Sequence, residues 1–296
     1  MSPPVPAASV ETLLEEGRRR LHESGVRTPG LDAQVLLAEA LGCQRAALFA
    51  RAKDPVAPDA RETYRRFLDR RAAREPVALI LGRREFFGLS FAVTPDVLVP
   101  RPETELLVSL GLERTRAAKG PVRALDVGTG SGCVAVSLAR LAAENGVDLR
   151  VTAVDCSDAA LRVAERNAGA HGVADRVLLE KADALDPEWT PRGAPFQLLL
   201  SNPPYVASGD IALLEPEVSR WEPRRALDGG PDGLSFIRGF LARVPGWLSG
   251  GGTALLEVGA GQAAAVAREA AGAGLELVAV HRDLAGIERV VELRLP

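Results

Sequence analysis

From Val122 to the end of the chain, short apolar runs alternate with helical stretches, and that alternation leaves few folds open. Strand-length runs lie at Val122 to Val127, Arg150 to Asp155, Val177 to Lys181, Phe196 to Ser201 and Thr253 to Val258. Helical patterns fall near Gly132 to Glu144, Ser157 to Ala170, Leu234 to Leu248 and Gln262 to Ala273. This order predicts an α/β domain with a parallel, doubly wound sheet. The end departs from it. Leu275 to Arg282 and Glu288 to Leu295 read as two strands about a short turn, an antiparallel hairpin closing the sheet.

The residues before this region read as helices. Val10 to Glu23 opens after Ser9, a favoured N-cap, with Leu13, Leu14 and Leu21 as its apolar stripe. Leu31 to Leu41 follows a Thr28-Pro29-Gly30 break and ends at Gly42 as C-cap; Ala46 to Arg51 is a short helical piece. Ala60 to Arg74 carries Tyr64, Phe67 and Leu68 on one face, and its arginines 61, 65, 66, 70, 71 and 74 read as a solvated face. Residues 1 to 80 hold 13 basic and 11 acidic residues, leaving −5 for the remainder, so this part is the better candidate for an acidic partner surface. Arg84 to Val93 has two β-prone pieces about Gly88 and reads as a hairpin linking two domains. A helix follows, with Pro102 at its first position and acids in its first turn, running to about Ala118. The expected division is a helical domain over 1–75, a hairpin linker over 76–99 and an α/β domain over 100–296.

A chain of 296 residues suits two domains at roughly 150 residues each. A net charge of −3 does not advertise nucleic-acid or membrane binding. Cys43, Cys133 and Cys156 are odd in number and widely spaced, which implies no disulfide framework or zinc pattern and points to a reducing cytoplasm. His22, His171 and His281 are isolated, so neither a metal site nor a His-centred triad is signalled. Met1 to Ala8 lacks the basic-then-apolar run of a signal peptide, and no apolar run approaches roughly 18 residues, so no membrane span is expected.

Two loops carry the chemistry. Leu198-Leu199-Leu200-Ser201 reads as a buried strand that stops in Asn202-Pro203-Pro204-Tyr205. Neither proline has an N–H, and both fix φ near roughly −65°, so the strand gives way to a stiff loop at its carboxyl end, where open α/β sheets place ligands. An amide side chain, bare carbonyls and one ring suit a flat group bearing an NH2. In isolation the same four residues are also a proline-rich turn with a surface Tyr. The second loop is Ala124-Leu125-Asp126-Val127-Gly128-Thr129-Gly130-Ser131-Gly132, a strand running into a glycine turn and then a helix. No Gly-Lys-Ser/Thr follows, which excludes a P-loop. A dinucleotide fingerprint wants Gly where Cys133 stands, and fits poorly.

An acid two residues ahead of the first glycine resembles motif I of class I S-adenosylmethionine (SAM) methyltransferases. On that reading Asp126, Gly128, Thr129, Gly130, Ser131 and Gly132 contact the cofactor. Asp155, twenty-five residues after Gly130, ends the next strand and can accept from both ribose hydroxyls. In Ala182-Asp183-Ala184, after the third strand, Asp183 can accept from the adenine amine. Singly, either acid could cap a helix or turn; at the ends of successive strands they form a pattern. Asn202 then lies beside the methyl donor as both cofactor contact and catalytic residue, with Pro203, Pro204 and Tyr205 completing the catalytic loop.

Across nearly its whole length the chain resembles the release-factor glutamine methyltransferases, the PrmC/HemK family. Besides the two loops, matching segments include residues 76–82, Glu85-Phe86-Phe87-Gly88, Arg101-Pro102-Glu103-Thr104-Glu105, Glu222 to Leu227, Gly230 to Leu234 and Asp283 to Gly286. The resemblance implies a Rossmann-like, seven-stranded, mostly parallel sheet with an antiparallel C-terminal hairpin, and a small all-α N-terminal domain that helps hold a protein substrate. It implies N5-methylation of the glutamine in the Gly-Gly-Gln loop of bacterial release factors, with SAM as donor, S-adenosylhomocysteine as product, and neither stable nucleic acid nor membrane as partner. Ala184 departs from relatives that carry an aromatic against the adenine. Rivals are a ribosomal-protein glutamine methyltransferase, an adenine-N6 or guanine-N2 methyltransferase, and a non-catalytic SAM-binding scaffold.

Overall fold

The computed structural model describes residues 8–116 and 120–296. The expected helix end at Ala118 lies outside them, as does all but Ala8 of the N-terminal stretch. Two compact units divide the chain, one running to Gly82 and taking in Glu215–Trp221, the other formed by Arg83–Leu214 and Glu222–Pro296. The boundary therefore falls at Gly82, and residues 83–92 belong to the larger unit.

The smaller unit is helical: α1 (Val10–Glu23), α2 (Pro29–Ala40), α3 (Ala47–Ala50), α4 (Pro58–Ala72) and α5 (Val77–Leu81), joined by the short helix Pro216–Ser219. Ser9 caps α1, its hydroxyl accepting from the Thr12 N–H at 3.2 Å. Prolines at the first position start α2 and α4 two residues earlier than the apolar pattern suggests. Val10, Leu13 and Leu21 of α1 pack with Leu36, Leu37, Tyr64 and Leu68. Gly17 lets α4 approach, for a Cβ there would lie 2.0 Å from the Tyr64 hydroxyl.

The arginines of α4 are only in part the solvated face expected. Arg71 is buried, and its guanidinium joins Asp32 at 2.8 Å and Glu217 at 2.7 Å. Arg74 stands just past the helix at φ +67°, a left-handed position that favours glycine, with its side chain forked onto Glu217. Glu215 adds pairs to Arg74 and Arg27. Desolvation of charge requires such partners, and two of the acids that supply them, Glu215 and Glu217, stand more than 140 residues from Arg74. Burial opposes ionisation of Glu217, but the Arg74 and Arg71 hydrogen bonds outweigh it and hold its carboxyl at about 2. A carboxyl depressed on folding stabilises the fold above its unfolded pKa and loses that contribution as pH falls toward the folded value. Thermal melting followed by circular dichroism should therefore show Glu217→Gln less stable than the parent at neutral pH. The gap should close between pH 4.5 and about 2.

The larger unit opens with a hairpin, β1 (Arg83–Phe86) and β2 (Leu89–Ala92), whose Phe87 and Gly88 turn at positive φ. The hairpin is more than a link. Phe86 and Phe91 lie in the core, and the Asn167 amide holds both the Ala92 N–H and its carbonyl while donating to Ser131 at 2.8 Å. After α6 (Glu105–Arg116) the sheet begins: β3 (Val122–Val127), β4 (Leu149–Asp155), β5 (Val177–Lys181), β6 (Phe196–Ser201), β7 (Leu248–Glu257), β8 (Glu276–Arg282) and β9 (Glu288–Arg294). Their order is β5-β4-β3-β6-β7-β9-β8, parallel through β7, with β9 antiparallel to both neighbours. This is the expected seven-stranded sheet with its closing hairpin.

Helices α7 (Cys133–Glu144), α8 (Asp158–Ala170), α9 (Ser235–Leu241) and α10 (Ala263–Gly272) complete the unit. Alternate residues feed opposite layers: Leu198 and Leu200 join the core of α6 and α7, whereas Leu199 joins Phe240, Trp247 and Val266. The helix expected over Leu234 to Leu248 stops at Leu241, a 3-10 turn at Val244–Gly246 intervenes, and Leu248 already opens β7. Pro245, with no N–H to give, suits that break.

Candidate active site

The glycine turn connects β3 to α7. Its N–H groups are largely consumed within the chain. Gly128 and Thr129 both donate to the Val154 carbonyl at 2.9 Å, Gly130 donates to the Asp155 carboxylate at 2.9 Å, and Gly132 donates to Thr129. What these four positions of the turn offer a ligand is close approach. Burial pushes the Asp126 carboxyl up to about 6, although the Thr129 hydroxyl, 2.7 Å away, favours its charge. Burial likewise lifts the Cys133 thiol to about 12, which removes it as a nucleophile.

A cavity of about 770 Å³ lies over this turn, within the usual range for cofactor sites. Asp126, Gly128, Thr129, Gly130, Ser131, Asp155, Asp183, Ala184, Asn202 and Pro204 line it. Of the sequence-predicted residues, Gly132, Pro203 and Tyr205 stand outside that lining. Asp155 spends one lone pair of each oxygen inside the fold, on Gly130 and Ser157, and keeps the others. Asp183 is exposed and accepts from Leu185 at 2.9 Å. Ala184 is buried.

Parallel pairing of β3 with β6 brings the second loop beside the first, Val127 opposite Ser201. A Cβ on Gly128 would lie 3.9 Å from the Asn202 carbonyl oxygen. The Asn202 amide donates through Nδ2 to the Thr104 hydroxyl at 3.1 Å, and among the described residues nothing donates to its Oδ1. That acceptor belongs to a cavity-lining residue. Backbone packing holds the loop. A Cβ on Gly229 would meet the Pro204 carbonyl at 2.8 Å and one on Gly233 the Tyr205 carbonyl at 2.5 Å, so only glycine fits. Gln262 donates to the same Tyr205 carbonyl at 2.9 Å.

Tyr205 lines a neighbouring cavity of about 160 Å³ with Arg101, Glu103, Glu257 and Arg289; Arg101 also lines the larger one. Its hydroxyl points at Glu257 Oε1, 3.4 Å away. Burial pushes Glu257 up to about 7, against the Thr104 and Tyr205 hydroxyls and Arg289. Glu222, beside Arg101 at 2.8 Å, is also lifted to about 7 by burial, with Arg101 pulling the other way. Glu257, Arg289 and Arg225, which donates to Cys156 at 3.3 Å, border the two cavities without being among the sequence-predicted residues. The position of Glu257 at the carboxyl end of β7 was the available signal. Among the described residues no cluster suits a metal ion, and no helix is long and apolar enough to cross a membrane.

A profile described as the PrmC N-terminal domain matches residues 12–82, and one described as a methyltransferase domain matches 124–220. A solved methyltransferase from Pyrococcus furiosus shares the fold, with a TM-score of 0.50 and 19% identity over 71% of this chain and 90% of that one. Proteins named release factor glutamine methyltransferase align along most of their length. That of Geobacter sulfurreducens is 40% identical over 96% of this chain and 95% of its own. Those of Cereibacter sphaeroides and Burkholderia pseudomallei are 44% and 45% identical, over 94% and 90% of this chain and 95% and 92% of theirs. On that likeness, carried from the first helix to the closing strands, the chain belongs to the release factor glutamine methyltransferase family.

Proposed function

We propose that this chain transfers a methyl group from SAM to the N5 amide nitrogen of the glutamine in the Gly-Gly-Gln loop of bacterial peptide chain release factors, in the cytoplasm. The observation that carries this reading is the Asn202 amide, tied at its nitrogen, with an oxygen that nothing among the described residues engages, beside the glycine turn.

The residues present fit SAM. The cavity has the volume for it, and Ser131, whose buried hydroxyl has no hydrogen-bond partner of normal geometry among the described residues, lines it. Asp155 and Asp183 would hold its ribose and adenine amine, with Asp126 and the glycine turn about its remaining part. When bound, SAM supplies an electrophilic methyl on a sulfonium.

An amide nitrogen is a poor nucleophile because its lone pair is delocalised. Asn202 Oδ1 and the Pro203 carbonyl accept its two N–H bonds, fixing the nitrogen and pulling density onto it. Holding the reactants in place and placing acceptors where charge develops replaces the need for a strong base. Tyr205 borders the acceptor group from the smaller cavity. The helical part, with its net positive charge, assists in holding the protein substrate.

Incubating the protein with SAM and a release factor, then weighing the peptides, should show one added methyl on that glutamine. A methyl placed instead on a ribosomal protein or a nucleic-acid amine would overturn the substrate, and absence of any transfer would overturn the activity.

A further inference from the structure

Thr104 lines the larger cavity and touches Asn202, the residue on which the proposed turnover depends. A hydroxyl can give or take a hydrogen bond, so contact with Thr104 alone does not decide which end of the Asn202 amide faces the cavity. The Glu257 carboxylate decides it. That carboxylate is buried beside Thr104, and among the described residues its Oε2 has no hydrogen-bond partner of normal geometry, so a buried acceptor is left to draw the Thr104 proton. A hydroxyl whose proton is drawn to a carboxylate can only accept from Asn202. The amide then turns its NH2 to Thr104, as the 3.1 Å contact shows, and leaves its oxygen for the substrate. The other titratable or charged groups about Glu257 include Arg101, Glu103, Tyr205, Arg289 and Cys133. Of these only Tyr205 makes a hydrogen bond to it.

We propose that Thr104, made an acceptor by Glu257, is the positioning residue that holds the Asn202 amide with its oxygen toward the substrate nitrogen. This rests on the proposed amide methylation, so the test reads both the reaction and the amide itself. Thr104→Val keeps shape and removes the acceptor, and Thr104→Ser restores it. Measured on the alkaline side of neutrality with release factor, Thr104→Val should lower kcat roughly tenfold, as expected for one lost hydrogen bond. KM for release factor and affinity for SAM should hold, and Thr104→Ser should recover the rate. Independently of turnover, the Asn202 side-chain NH2 signals of nitrogen-15-labelled protein, assigned by their loss in Asn202→Ala, should show a hydrogen-bonded proton in the parent and in Thr104→Ser but not in Thr104→Val. Unchanged signals in Thr104→Val, or equal loss of kcat in the Val and Ser variants, would overturn the proposal. A parent that shows the bonded NH2 yet methylates no release factor would overturn the proposed function and leave the amide's orientation by Thr104 standing.

Discussion

Asn202→Ala is expected to lower kcat by about 10²–10³-fold, the range seen when one preorganised hydrogen-bonding group is removed from a reacting centre. Its Oδ1 is an acceptor left unengaged among the described residues, and the amide is held from behind by Thr104. Truncation removes the acceptor and also strands Thr104, but it leaves the prolines and the glycine buttress under the loop in place. The melting temperature and the SAM dissociation constant should therefore change little, because the acids and the glycine turn are untouched. Calorimetric titration with SAM, run beside single-turnover methylation, separates the two effects. Tight cofactor binding with transfer slowed on that scale is the expected pair of results, and normal transfer would remove Asn202 from the mechanism.

Gly132→Ala should be the most damaging single-carbon change in the glycine turn. Gly132 sits at φ +78°, and an added Cβ would lie 3.0 Å from the Ala164 Cβ and 3.1 Å from its Cα. Ala164 is itself buried on α8, with no flexible end to move aside. Left-handed strain of roughly 1–2 kcal/mol joins an overpacking cost of roughly 1–3 kcal/mol. Loss on that scale is a large share of a domain's stability, and it displaces the start of α7. Gly130→Ala is the control. At φ +54° its Cβ would meet only the Gly128 carbonyl oxygen at 3.9 Å, so it carries the strain without the clash. Chemical denaturation of both variants should rank Gly132→Ala well below Gly130→Ala, with SAM binding abolished in the former. Equal stability of the two would show that α8 yields at Ala164.

Features decided within a few residues were legible in the sequence. The strand–turn–helix around Gly128 and the arrest of β6 at Asn202 depend on local steric rules, and the structure places both where the residue types imply. Features that depend on a distant partner were not. Arg101 and Glu222 each stood in a matching segment, yet their pairing across 121 residues had no local mark. Arg71 sits among exposed arginines of the same helix, and its burial depends on Asp32, Glu217 and the Glu75 carbonyl. The strand expected from Thr253 already begins at Leu248 as β7. A Cβ on Gly252 would meet the Ser249 and Phe196 carbonyl oxygens at 2.8 and 3.1 Å, so here glycine marks close approach inside a strand.

The chain passes from one compact unit to the other three times, at residues 82–83, 214–215 and 221–222. Because Glu215 and Glu217 neutralise Arg27, Arg71 and Arg74, the helical module is not encoded by the N-terminal third alone. Chimeras that exchange this module between relatives must carry the seven-residue insert with it. A swap cut only at Gly82 would set a foreign heptapeptide against these guanidinium groups. Over evolutionary time the two stretches are bound to drift in step, however far apart they are written in the gene.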